Sequence, residues 1–244
     1  MEHWDDLRPG GYRLLYEDEL FRPGTDSFLL SALPRLKPGL KVCDLGSGTG
    51  LLGLLLLQRQ KDLTVTGVER LDRAADLADR CAEENGLAHR LSTIRGDLRQ
   101  IRQLLPANGF DLVVSNPPYF STAGGKLASS PALQAARAEL TCTPEDLCAA
   151  AAWLLRWGGS FCLVHRPERL TDLLCALRGA ALEPKRLRTV VKRPESAPSL
   201  VLIEARRGGK PGLTLEAPLI LQTPDGSPTE ELDRIYFRLE EDRP

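Results

Sequence analysis

The chain has 244 residues and a mass of 26.8 kDa, which suits one large α/β domain, alone or with a small appendage. Hydrophobic residues at 42% and charged residues at 27% are ordinary for a soluble globular protein. A formal net charge of -1 and a pI near 6.3 exclude any global electrostatic case for a nucleic-acid partner, so such a partner requires a local basic patch.

In chain order, Met1-Glu2-His3-Trp4-Asp5-Asp6 lacks the character of a signal peptide. Thr25 or Asp26 is placed to cap a helix over 28–33. Strand-like and helix-like segments then alternate: a strand over 40–44, a helix over 51–60, a strand over 63–69 and a helix over 73–85 with Gly86 as its C-terminal cap. The run Leu54 to Leu57 is too short to span a membrane and reads as a buried helix face. A third strand over 91–95, a short helix over 98–105 and a fourth strand over 110–115 follow. Residues 121–131 are rich in Gly, Ser and Ala and read as a mobile stretch. Thr143 caps a helix with Pro144 at its first position, expected to run to Trp157, where Gly158-Gly159 breaks it. A fifth strand over 160–165, a helix from Pro167 to about Gly179, and strands over 185–192 and 200–206 complete the alternation. In the tail, Ser227-Pro228-Thr229-Glu230 fits a capping box opened by Ser227.

This order predicts a Rossmann-like α/β fold. Seven strands form a mainly parallel sheet with an antiparallel edge hairpin, and helices cover both faces. The six cysteines, Cys43, Cys81, Cys142, Cys148, Cys162 and Cys175, contain no C-x-x-C pair, and with only three histidines the zinc-site patterns are missing. They read as reduced, mostly buried residues of a cytoplasmic protein.

Two strand ends carry chemistry. The first is Asp44-Leu45-Gly46-Ser47-Gly48-Thr49-Gly50, a glycine loop between a strand and a helix. A nicotinamide fingerprint needs G-x-G-x-x-G, and Leu51 stands where its third glycine belongs. Asp44 would repel a pyrophosphate and suits a cation, so the loop points to S-adenosylmethionine, which carries an ammonium and a sulfonium and no phosphate. Glu69, at the end of the second strand, is placed to accept both ribose hydroxyls. Asp97, after the third, is equally suited to accepting from the adenine amine or to capping a helix.

The second strand end is Asn116-Pro117-Pro118-Tyr119. Two prolines cannot donate to a ladder and stiffen the loop. The lone pair of an amide or adenine nitrogen is delocalised and poorly nucleophilic. The Asn116 side-chain oxygen and the Pro117 carbonyl can accept its two hydrogens and localise that pair toward the methyl donor, while Asn116 also borders the cofactor. Tyr119 can stack on the substrate plane, a contact worth roughly 1–3 kcal/mol for a base, and Phe120 lines the same pocket. Positioning and fixed dipoles carry such a reaction without a metal.

Residues 40–206 resemble the class I, Rossmann-like S-adenosylmethionine-dependent methyltransferases in strand order and motifs. The segment Phe21-Arg22-Pro23-Gly24-Thr25-Asp26-Ser27 resembles the one that closes over the methionine end of the cofactor in amino-methylating members, which implies a cofactor role for Thr25 and for residues 1–39. Residues 40–210 would form the methyltransferase domain and 211–244 a tail with a short helix. Gly11-Tyr12-Arg13, Pro23 to Asp26, Asn116 to Phe120, Arg137-Ala138-Glu139, Leu163 to Arg169 and Pro224 to Ser227 together resemble the bacterial tRNA(Val) adenine-N6 methyltransferase family. That resemblance implies methylation of the adenosine just 3′ of the anticodon, with tRNA as partner, no membrane, no metal, and a monomer. Members commonly have a histidine where this chain has Ala138. Arg166, Arg169, Lys185, Arg186, Arg188, Lys192, Arg193, Arg206, Arg207 and Lys210 form a basic cluster in sequence that could track phosphates, with Arg166, Lys192 and Arg193 as substrate contacts. Two other readings stay open: a protein glutamine N5-methyltransferase, which uses the same tetrad, and a non-catalytic cofactor-binding module.

Overall fold

The structure is a computed structural model that describes residues 1–18, 20, 23–117 and 142–239. A hairpin of β1 (Glu2–Asp6) and β2 (Arg13–Glu17) precedes helix α1 (Thr25–Ser31). Then come β3 (Lys41–Leu45), α2 (Leu51–Arg59), β4 (Thr64–Glu69), α3 (Asp72–Glu84) and β5 (Leu91–Arg95). A 3-10 turn (Leu98–Gln100) leads into α4 (Ile101–Leu104), followed by β6 (Phe110–Ser115), α5 (Pro144–Leu154) and β7 (Leu155–His165). The remainder is α6 (Leu170–Gly179), β8 (Leu182–Val191), β9 (Pro198–Arg207), β10 (Thr214–Leu215), β11 (Leu219–Ile220) and α7 (Glu230–Ile235).

The long strands lie in the order β8-β9-β7-β6-β3-β4-β5, all parallel except β9. This is the expected parallel sheet with its antiparallel edge hairpin. The tail adds β10 and β11, two residues each, parallel to β8 at that edge. Strand order reverses beside β3: one neighbour is β4, the next in sequence, and the other is β6. A crevice at such a switch point, outside the strands' carboxyl ends, is where open α/β sheets bind ligands.

Period-two alternation builds a core on each face. In β7, Cys162 and Val164 join the cluster with α1, α2 and α3, while Phe161 and Leu163 join the one with α5 and α6; β9 divides Leu200 and Leu202 from Val201 and Ile203 in the same way. Helix α2 has Leu54 to Leu57 fully buried because α1 and the sheet both cover it. Residues 1–39 and the tail share this core rather than building their own: Leu14, Leu15 and Ile235 sit in the α2 cluster. The hairpin is fastened to α3 by Leu15 N–H to Cys81 Sγ (3.0 Å), by Asn85 bonding both the N–H and the carbonyl of Arg13, and by ion pairs of Arg73 and Arg80 with Glu2. Among the described residues no helix is long and apolar enough to cross a membrane.

Two local expectations are corrected. Helix α5 carries the full capping box, with Thr143 Oγ1 accepting from Asp146 N–H and Asp146 Oδ2 from Thr143 N–H, but it stops at Leu154 rather than Trp157. Leu155 turns extended and pairs with Phe110, and the Trp157 ring lies over Gly208, where a Cβ would come within 2.2 Å of it. The tail helix is capped by Thr229, whose Oγ1 accepts from Leu232 N–H, and not by Ser227. The Ser227 hydroxyl is engaged by Asp225 and its carbonyl by Thr223, closing the turn around Gly226.

Candidate active site

Strand β3 delivers Asp44 to the switch point, and the chain turns sharply through Gly46 (φ +74°), Gly48 (φ +55°) and Gly50 (φ +82°) into α2. Left-handed backbone at three alternate positions is cheap only for glycine. Gly46 and Ser47 donate backbone N–H groups to Val68 O, which pins the loop to β4. A Cβ added at Gly46 or Gly48 would meet nothing within 4 Å among the described residues, so the loop backbone borders open space.

Asp44 is 2% exposed, and its Oδ2 has no hydrogen-bond partner among the described residues. Burial first, and the nearby Glu69 second, push its carboxyl up to about 8. A buried carboxylate left without a donor costs free energy that a cation would recover. Glu69 takes one backbone donor on each oxygen, Gly48 N–H on Oε2 and Leu71 N–H on Oε1, both at 2.8 Å. It therefore clamps the glycine loop and keeps lone pairs for further donors. Ser47 completes the loop by resting on Gly67, where a Cβ would lie 2.5 Å from its Oγ. Gly67→Ala is thus expected to push Ser47 outward and weaken cofactor binding by about 1–3 kcal/mol, with the sheet intact. Titration calorimetry beside a thermal melt checks this, and unchanged affinity in a folded variant counts against the loop.

On the other side of β3, register pairs Asp44 with Val114, so Asn116 emerges beside the glycine loop. Ser115 Oγ donates to Leu45 O (2.7 Å) and ties the two strand ends together. The Asn116 Nδ2 group donates to Ser27 Oγ on α1 at 3.0 Å. Its Oδ1 end is thereby the one left for a ligand, and Pro117 next to it is buried. Thr25 lies exposed at the first position of α1. Tyr119 and Phe120, like Arg137-Ala138-Glu139, fall outside the described residues.

Asp97 has the capping role that its sequence position allows. It caps the 3-10 turn, accepting from Arg99 N–H (2.9 Å) and from the Arg99 guanidinium, and that hydrogen bond draws its carboxyl below the usual range. The basic cluster is also divided. Arg186 pairs with Glu204 and Glu216, Arg188 pairs with Glu231, and Arg207 bonds Asn108 and the Leu155 carbonyl, so all three brace the chain. Lys185, Arg206, Arg207 and Lys210 lie toward the sheet's other end, because Leu182 pairs with Arg207 and Val191 with Pro198. Ten residues of β8 separate the two ends by roughly 33 Å. Arg166, Lys192 and Arg193 do share an edge with Asn116: they follow β7 and β8 at the carboxyl ends of parallel strands. The charge of Arg166 also faces Asp26 of α1, whose carboxyl burial raises. The sequence places Ser27 in the segment expected to close over the cofactor but does not show its bond to Asn116, because that partner lies 89 positions away.

A family model described as the methyltransferase small domain matches residues 21–174. The tRNA1(Val) (adenine(37)-N6)-methyltransferase of Tolumonas auensis is 33% identical over 225 residues, covering 88% of this chain and 90% of that protein. The protein of the same name from Dickeya chrysanthemi is 34% identical over 218 residues, with 86% and 84% covered. Among solved structures, a predicted O-methyltransferase from Agrobacterium tumefaciens superposes with a TM-score of 0.72 at 25% identity, covering 87% of this chain and 95% of that one.

Proposed function

The chain belongs to the methyltransferase small-domain family, and on that premise we propose that it transfers a methyl group from S-adenosylmethionine to N6 of the adenosine at position 37 of tRNA1(Val). The observation that carries this reading is the extent of the likeness: a relative named for that activity aligns with 88% of the chain and another with 86%, and not with the cofactor core alone.

The residues present fit the cofactor. An orphaned carboxylate oxygen on Asp44 suits its cationic portion, and open space beside Gly46 and Gly48 admits it against the loop backbone. In this reading Glu69 accepts from the ribose hydroxyls and Thr25 meets the methionine end. When bound, the cofactor supplies an electrophilic methyl group. Asn116 Oδ1 and the Pro117 carbonyl accept the two N6 hydrogens and turn the nitrogen lone pair toward that methyl. Tyr119 and Phe120 hold the base plane. One hydrogen then leaves the methylated nitrogen as a proton to solvent water, and the methyl donor would depart as a neutral thioether. An adenosine beside the anticodon sits in a loop, so extruding it costs less than opening a duplex.

Arg166, Lys192 and Arg193 form a basic rim on the Asn116 side of the sheet and suit the phosphates flanking the target. Changing Lys192 and Arg193 together to alanine is expected to raise KM for tRNA with kcat retained. It should also lower the slope of log affinity against log salt by about one for each phosphate that is no longer neutralised. Filter binding across a salt series measures it, and an unchanged slope removes these residues from the RNA path. In the same reading the protein works in the cytoplasm as a monomer without a metal. Transfer of label from the cofactor to a tRNA1(Val) transcript tests the function, and labelling of a protein glutamine with none in RNA would replace it.

A further inference from the structure

We propose that Ser27 is a positioning residue for methyl transfer: its hydroxyl holds the Asn116 carboxamide with the oxygen, and not the nitrogen, toward the amine. The inference rests on the amine-methylating reading of the site. A carboxamide has two ends of opposite polarity and nearly the same shape, an acceptor oxygen and a donor NH2. Flipped by 180°, Asn116 would present hydrogens to the hydrogens of the target amine and lose one of the two acceptors the reaction needs. Nothing in the side chain of asparagine itself prevents the flip. A partner that accepts from the nitrogen disfavours it: the flipped amide would set its NH2 against the hydrogens of the amine while the hydroxyl turned from acceptor to donor.

Ser27 is that partner, with Nδ2 to Oγ at 3.0 Å. Ser27 is only 3% exposed, so water competes poorly for the bond. Its backbone is also held. The next residue, Phe28, stacks on Tyr236 of the tail with centroids 4.3 Å apart and planes 5° off parallel. Ser31, one turn along α1, donates to Phe28 O and accepts from Arg59 Nε of α2, and Arg59 reaches on to Ile235 O. Helix α1 is therefore a short strut between the tail and the site. Asn116 is fixed from its own side by the Ser115–Leu45 bond. The amide is tied to β3 through its neighbour Ser115 and held at its nitrogen by α1, which leaves its oxygen for the substrate.

The test combines kinetics with a measurement that needs no turnover. The chain has three asparagines, Asn85, Asn108 and Asn116, so 15N-asparagine labelling yields three side-chain NH2 pairs. In Ser27→Ala the Asn116 pair is expected to shift and lose protection from exchange, and in Ser27→Thr to regain both. Ser27→Ala is expected to lower kcat roughly 10- to 100-fold, the effect of leaving one amide hydrogen without its buried acceptor. KM for tRNA stays as in the unaltered protein, and Ser27→Thr restores most of the rate. In an Asn116→Ala background, single-turnover rates should show no further loss from Ser27→Ala. Should Ser27→Ala not fold, Ser27→Cys keeps the shape with a much weaker acceptor and is expected to behave the same way. A kcat within about twofold of the unaltered enzyme, an additive loss beside Asn116→Ala, or an unmoved Asn116 side-chain signal overturns the proposal. If the unaltered protein methylates no RNA, the functional reading fails by itself, and the NMR arm still decides the Ser27–Asn116 contact.

Discussion

Asn116→Ala is expected to lower the rate of methyl transfer by two to three orders of magnitude, the usual effect of removing one preorganised polar group from a transition state. Asn116 leaves β6 at the point where β3 delivers the glycine loop, and Ser115 locks the two strand ends together. Its oxygen therefore sits on fixed backbone, and orientation costs nothing at the moment of reaction. The acceptor gains strength as the amine nitrogen becomes positive and its hydrogens more acidic. Under the proposed function, ground-state binding of tRNA rests instead on the basic rim of Arg166, Lys192 and Arg193. The effect should accordingly appear in kcat, with KM for tRNA little moved. Asn116→Asp keeps an acceptor but no longer donates to Ser27, so part of the rate loss should remain. Single-turnover assays with labelled cofactor measure both. An Asn116→Ala enzyme within about tenfold of the unaltered rate would remove the amide from the chemistry.

Asp44→Asn should produce an opposite pair of effects: a more stable unliganded protein and the loss of cofactor binding. The carboxyl of Asp44 is pushed up to about 8 by burial and by Glu69, from an ordinary value of 3.8. The folded state thus holds a proton that the unfolded chain releases between those values. Stability of the unliganded protein is highest at the acid end of this window and falls as pH rises through it, reaching its full penalty above pH 8. Asparagine carries no charge at any pH, so the variant should lack this slope and melt higher than the unaltered protein at pH 8.5. A bound cation reverses the balance by favouring the ionised form. Cofactor affinity should therefore rise with pH up to about 8, with a proton released on binding below that value. Removing the charge should cost the complex about 3–5 kcal/mol, more than two orders of magnitude in affinity. Thermal melts with and without cofactor from pH 5.5 to 8.5, and calorimetry in two buffers of different ionisation enthalpy, check the whole pattern. A variant that binds the cofactor normally would show that Asp44 does not face its charge.

Strand order and the glycine loop are legible in the sequence because each depends on local signals: short apolar runs, a Gly-rich turn, and a carboxylate or an Asn-Pro-Pro step where a run ends. What stays hidden depends on contacts distant in sequence. The β1–β2 hairpin has short, half-exposed strands with no clear alternation, and α3 holds it through Cys81 and Asn85 more than 60 positions away. The early end of α5 is invisible locally because Gly208, across the sheet edge, makes room for Trp157 in an extended segment. The basic cluster looks continuous in sequence, but the antiparallel β8–β9 register carries its members to opposite ends of the sheet. The ion pairs to Glu204, Glu216 and Glu231 then occupy two of its arginines. Ser27 is hidden for the same reason as the hairpin. A serine in the first turn of a helix carries no mark of the amide it will meet.

The most direct measurement is nucleoside mass spectrometry of a tRNA1(Val) transcript incubated with purified protein and isotopically labelled S-adenosylmethionine, beside a second transcript in which adenosine 37 is replaced by guanosine. One labelled N6-methyladenosine in the first transcript and none in the second is the expected result. Label absent from both, or present equally in both, would contradict a site built to grip the planar amine of that adenosine.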